Sequence, residues 1–156
     1  MATIPRQIYG TAQTVINTGT DIAASNFSGS PAATFDNTTD GSVPYARWGK
    51  AMAEFPDWAA APAAGTVIEL WGVLKDTDGT DDDTDAPSGT SAGGARYFGS
   101  WPAAAADALQ RRTITISLLG CEKVDFYIRN GTAQNMNNDA GTNCVVKITP
   151  FEIGLP

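Results

Sequence analysis

Histidine is absent from this chain of 156 residues, and charge is scarce. Without imidazole there is no His general base, no Ser-His-Asp or Cys-His nucleophile system and no His-ligated zinc. Charged residues make up 17% of the chain, against about 25% in an average domain. Basic residues are few, 10 Lys and Arg against 17 Asp and Glu. That balance argues against a nucleic-acid partner, because phosphate contacts need clustered Lys and Arg. There are only two cysteines, Cys121 and Cys144, too few for a structural zinc site without His. No apolar run approaches the ~18 residues of a membrane-spanning helix. The stretch from Met1 to Arg6 lacks the basic-then-apolar layout of a secretory signal.

What is present suits one compact domain. Hydrophobic residues are 42% of the chain, and Ala, Thr and Gly are abundant. The net charge of −7 is local: six Asp lie between Asp76 and Asp85, which leaves 11 acids against 10 bases elsewhere. The body of the chain is therefore close to neutral.

Period-2 patterning dominates. Residues 11–22 read as a weak first strand, and 24–44, rich in Ser, Asn, Gly, Thr, Asp and Pro, as a long loop or irregular arm. Residues 1–44 are thus an N-terminal strand plus an extended arm of the same domain, and 45–156 the sandwich proper. Residues 45–55 have strand character with imperfect alternation. Residues 66–74 are the clearest central strand, apolar enough for burial on both faces. Residues 96–101 form a short strand, and the alanines at 103–106 predict one or two helical turns within 102–109. Residues 112–119 alternate strictly, with Ile114, Ile116 and Leu118 on one side. Residues 124–129 are expected to pair with them as a hairpin, ending at the Asn130-Gly131 turn signal. Residues 144–149 are the last clear strand, with Phe151 to Ile153 extending it past Pro150. Seven or eight strands and little helix predict an all-β, single-domain β-sandwich, jelly-roll-like, of about eight strands.

Several groups could carry chemistry. Asp76, Asp78, Gly79, Asp82 and Asp85 match a D-x-D-G-x-x-D-x-x-D spacing. Calcium loops use such spacing because hard cations take many oxygen ligands around a tight turn. The twelfth position is Pro87 where an EF-hand has its closing Glu, so the favoured reading is a solvated, self-repelling loop. The four Glu are Glu54, Glu69, Glu122 and Glu152. Glu69, in an apolar strand, could be a raised-pKa acid, but no partner carboxylate can be named. Trp48, Trp58, Trp71 and Trp101 are read as core or interface residues, with sugar-stacking platforms as the alternative. Cys121 and Cys144 are expected as free buried thiols of a chain made in a reducing cytosol, with a disulfide as the alternative. Arg111 and Arg112 are expected in salt bridges at an edge or with a neighbouring subunit. No catalytic, cofactor or metal residue is assigned.

One set of segments resembles a known group in its order along the chain. These are Gly65-Thr-Val-Ile-Glu-Leu-Trp-Gly-Val-Leu74, the Asp-Gly-Thr of 78–80, and Arg96-Tyr-Phe-Gly-Ser-Trp101. Gln110-Arg-Arg-Thr-Ile-Thr-Ile116, Val124-Asp-Phe-Tyr-Ile-Arg-Asn-Gly-Thr132 and Val146-Lys-Ile-Thr-Pro-Phe151 follow. Over residues 60–152 the chain resembles small jelly-roll-like virion proteins of tailed bacteriophages, of the capsid decoration (cement) type. The resemblance implies a non-enzymatic structural protein on the capsid exterior, made in the host cytoplasm. It implies a homotrimer that bridges major capsid protein subunits, with no nucleic-acid or membrane partner and no cofactor. The Asp run departs from the group's pattern, so no calcium role is carried over. A head- or tail-fibre module that recognises host glycans is the competing expectation.

Overall fold

The computed structural model describes residues 6–75, 85–136 and 142–154. Among these residues nine strands form: β1 (Arg6–Tyr9), β2 (Gln13–Thr18), β3 (Phe35–Asp36), β4 (Trp48–Phe55), β5 (Val67–Lys75), β6 (Arg96–Pro102), β7 (Gln110–Ser117), β8 (Lys123–Asn130) and β9 (Cys144–Gly154). No helix occurs among the described residues. The alanine run after Pro102 forms bends, not the helical turns its composition predicts. The Gln110 side chain ties that run down by bonding the backbone of Ala104 and Ala106. Those bonds use groups a helix would need for itself.

The strands form two antiparallel sheets. One has the order β1-β9-β4-β7, with β2 also paired to β9, and the other has the order β3-β8-β5-β6. Pairing is nested. The chain's outer strands β2 and β9 join, then β3 with β8, β4 with β7, and innermost β5 with β6. This is the winding of an eight-stranded jelly roll, with β1 and β2 sharing the first position. Between them the chain breaks, and Gly10 N–H donates to the Pro150 carbonyl at 2.8 Å. Pro150 therefore sits in β9 where neither β1 nor β2 has a ladder partner for it, the kind of interruption to which strand proline is confined.

The core lies between the sheets. Ala51, Ala53 and Phe55 of β4 and Val146 and Ile148 of β9 face Ile68, Leu70, Val124, Phe126 and Ile128 of the second sheet. Small residues on β4 leave room for the aromatics opposite. Trp101 packs edge-on against Phe55 at 5.5 Å, and Phe126 against Phe35 at 5.9 Å and Phe98 at 5.0 Å. β4 alternates fully, with Trp48, Lys50, Met52 and Glu54 outward and Gly49, Ala51, Ala53 and Phe55 inward. The alternation looks imperfect in the sequence because Gly and Ala carry little hydrophobic signal. β5 buries Ile68, Leu70 and Gly72 on its inner face, while Val67, Glu69 and Trp71 on its outer face are half-covered.

One pairing expected from the sequence changes. β7 and β8 are not a hairpin, since β7 pairs with β4 in one sheet and β8 with β3 and β5 in the other. The intervening turn passes from sheet to sheet, with Gly120 at φ +75°, a conformation that favours glycine. Within the stretch to residue 44, residues 6–44 supply β1 and β2 to one sheet and β3 to the other, and Val15, Ile16, Ile22, Phe27, Phe35 and Val43 are buried.

Candidate interaction face

The outward side of the five-stranded sheet is built from strand alternation alone. Register places its side chains in rows. Tyr9 lies beside Phe151, which lies beside Trp48, which lies beside Ser117. Further along, Thr149, Lys50 and Thr115 align, then Thr14, Lys147, Met52 and Thr113, then Asn17, Val145, Glu54 and Arg111. Tyr9 and Phe151 rings are 5.5 Å apart, and their contact buries Phe151 on a face where its strand neighbours Lys147 and Ile153 are open. Tyr9, Trp48, Met52 and Ile153 are all exposed. Below the aromatic row a depression of about 240 Å³ is lined by Met52, Glu54, Arg111, Val145 and Lys147.

The charges on this face are unequal. Arg111 Nε donates to Glu54 Oε2 at 2.6 Å, and the bond holds the guanidinium pKa above its ordinary value. Lys50 and Lys147 make no ion pair among the described residues. The four outward strand positions with charge are thus three bases and one acid.

The other candidate residues are held differently. Glu69 Oε2 accepts from Trp71 Nε1 at 3.0 Å and Arg129 at 3.3 Å. Trp71 is wedged edge-on between Phe27 at 5.9 Å and Tyr97 at 5.4 Å. This group caps the outer side of the second sheet as a small satellite cluster with Val73 and Tyr127. Glu152 binds the Arg47 guanidinium and backbone N–H, and the side-chain bond first of all holds its pKa below the usual value. Arg112 donates to the Pro102 and Arg111 carbonyls. Trp58 and Trp101 are core residues, Trp71 is half-buried and only Trp48 is exposed, so the four tryptophans do not line one groove. Cys121 and Cys144 are both free and buried. Burial pushes the Cys144 thiol up to about 12. It also raises Cys121, against the pull of Arg96. Of the Asp-rich segment, 76–84 lies outside the described residues, and with it the choice between solvated loop and calcium loop. Among the described residues no group of three or more acidic or thiol side chains could hold a metal ion.

Sequence reasoning did not single out Tyr9, Lys50 or Lys147. The signal lay in β4, where counting Gly49, Ala51 and Ala53 as inward small residues puts Trp48, Lys50 and Met52 on one open face.

No family model matches the chain, and no curated protein or solved structure matches it either.

Proposed function

We propose that this chain is a non-enzymatic structural protein of a bacteriophage virion, a capsid decoration (cement) protein that sits on the shell exterior as a homotrimer and bridges neighbouring major capsid protein subunits. The observation that carries the reading is the open face of the five-stranded sheet. It presents Tyr9, Trp48, Met52 and Ile153 in the manner of a protein-binding surface, since aromatics and Met are enriched in interfaces. The rest of the molecule supports the same role. Glu54, Glu69 and Glu152 each bind an arginine, so these carboxylates serve as fixed structural contacts. Apart from 78–80, which lies outside the described residues, the segments that resemble phage decoration proteins fall in order on β5, β6, β7, β8 and β9. A fibre module would want several tryptophans in an open groove, and two of the four are in the core.

A cement protein acts by mass action, since whatever binds only the closed lattice favours it. Particles stripped of this chain should lose resistance to heat and osmotic shock and regain it when the chain is added back. Unchanged particle melting after stripping would refute the cement role. Specific hits on a bacterial glycan array would point to the fibre reading.

A further inference from the structure

We propose that the Lys50–Lys147 face is the docking surface for an acidic protein partner, a shell surface with an apolar centre and carboxylates beside it. This inference rests on the decoration reading and names the part of the chain that makes the contact.

Charge is the first ground. Outside Asp76–Asp85 the chain is close to neutral, 11 acids against 10 bases, yet this face has Lys50, Lys147 and Arg111 against Glu54 alone. Arg111 and Glu54 neutralise one another, so the face presents two free ammonium groups on an otherwise near-neutral body. Their placement is the second ground. Lys50 pairs with Thr149 and Met52 with Lys147, so the lysines are diagonal cross-strand neighbours, about 7–8 Å apart at the backbone. Two like charges at that spacing repel, and a carboxylate seated between them relieves the repulsion. Among the described residues neither lysine has an ion-pair partner, and Glu54, the carboxylate diagonal to Lys147, is held by Arg111.

The apolar part fits the same partner. Trp48 and Tyr9 flank the buried Phe151 ring, and such rigid aromatics serve as anchors when a partner desolvates them. Met52 and Val145 line the depression beside Lys147, a recess for an apolar side chain next to a cation. A second copy docking through the same face is disfavoured. A two-fold contact is self-complementary and would bring the lysines of one copy toward those of the other, a like-charge juxtaposition that interfaces avoid.

The test uses the full chain and shells of the cognate major capsid protein that lack it. Binding is read by co-sedimentation for the wild type, for K50E/K147E, and for T90E. Thr90 is exposed in the connection between β5 and β6 of the other sheet, so T90E adds negative charge away from the face. The wild type and T90E should bind alike. K50E/K147E, with an unchanged circular dichroism spectrum and melting, should bind at least tenfold more weakly. Raising salt from about 0.05 M to about 0.5 M should weaken wild-type binding, since exposed charges are screened. A double variant that binds within twofold of wild type, or salt-independent wild-type binding, overturns the inference and leaves the decoration reading standing. No binding by the wild type overturns the decoration reading itself. If the free chain is oligomeric by sedimentation and K50E/K147E makes it monomeric, the face joins copies and the acidic partner is rejected.

Discussion

Asn130 shows how much a single polar side chain holds in this fold. It is fully buried at the end of β8. Its Nδ2 donates to the carbonyls of Ile22 at 3.0 Å and Gln134 at 2.8 Å, while Oδ1 accepts from Thr132 N–H and hydroxyl. Next to it, a Cβ on Gly131 would lie 2.6 Å from the Val67 carbonyl oxygen, so the Asn-Gly pair answers to packing, not to a hairpin turn. Asn37 does the same at the other end of the polar 24–44 stretch, bonding the Ala46 backbone and the Cys121 carbonyl. Asn130→Ala leaves several buried groups without partners and should cost about 3 kcal/mol, since each orphaned group costs roughly 1–3 kcal/mol. Denaturant titration measures it, and a loss under about 1 kcal/mol would show that water replaces the amide.

Asp40 is one carboxylate whose titration is tied to the fold. Its carboxylate accepts the backbone N–H groups of Thr11, Ser42 and Val43, and the Thr11 bond foremost holds its pKa below the ordinary 3.8. A carboxylate depressed on folding stabilises the native state at pH above its unfolded value. That contribution is lost as pH falls through the lower folded value. Melting temperature should therefore decline below about pH 4, and Asp40→Asn should melt lower at neutral pH with a shallower acid decline. An unchanged acid slope in the variant would assign the decline to other carboxylates.

At the scale of elements, strands of similar sequence appearance do unequal work. All four residues of β1 are exposed, and its main tie beyond the ladder is the Tyr9–Phe151 contact, worth about 0.5–1.5 kcal/mol for an aromatic pair. β9 lies between β1/β2 and β4 and supplies Val146 and Ile148 to the core. Replacing residues 6–9 with a Gly-Ser stretch should leave the chain folded, since β1 supplies no buried side chain. Truncation after residue 143 should abolish the folded state. Amide dispersion in a proton–nitrogen spectrum distinguishes the two, and a folded truncation at 143 would contradict the central place of β9. The sequence made β9 and the alternating β7 plain, because each carries a strong period-2 pattern. It concealed β1 and β3, which are too short and too polar to stand out. It also misassigned β8 to β7, because adjacent strands usually pair and no local signal marks a turn that changes sheet.

For the whole molecule, nesting sets the folding behaviour. The first strands must meet the last to complete the five-stranded sheet, so loop closure is long-range and folding slow. Refolding from denaturant should proceed in roughly milliseconds to seconds, the range of all-β folds dominated by non-local pairing. Reductant should change neither the rate nor the melting temperature, since both thiols are free. Stopped-flow tryptophan fluorescence reads this through Trp58 and Trp101 in the core. A microsecond phase carrying the full amplitude, or slower folding in reductant, would contradict it.

Strand periodicity and composition are local properties that any pairing must respect, so the fold class and the near-neutral body can be read from the chain alone. The folded structure was needed to assign strands to sheets and to place residues 6–44 in both. It also decided that Glu54, Glu69 and Glu152 meet arginines and that Trp48 alone among the tryptophans is exposed beside two unpaired lysines. Those facts depend on register between segments far apart in the chain, and a cross-strand neighbour leaves no mark in either strand's own pattern.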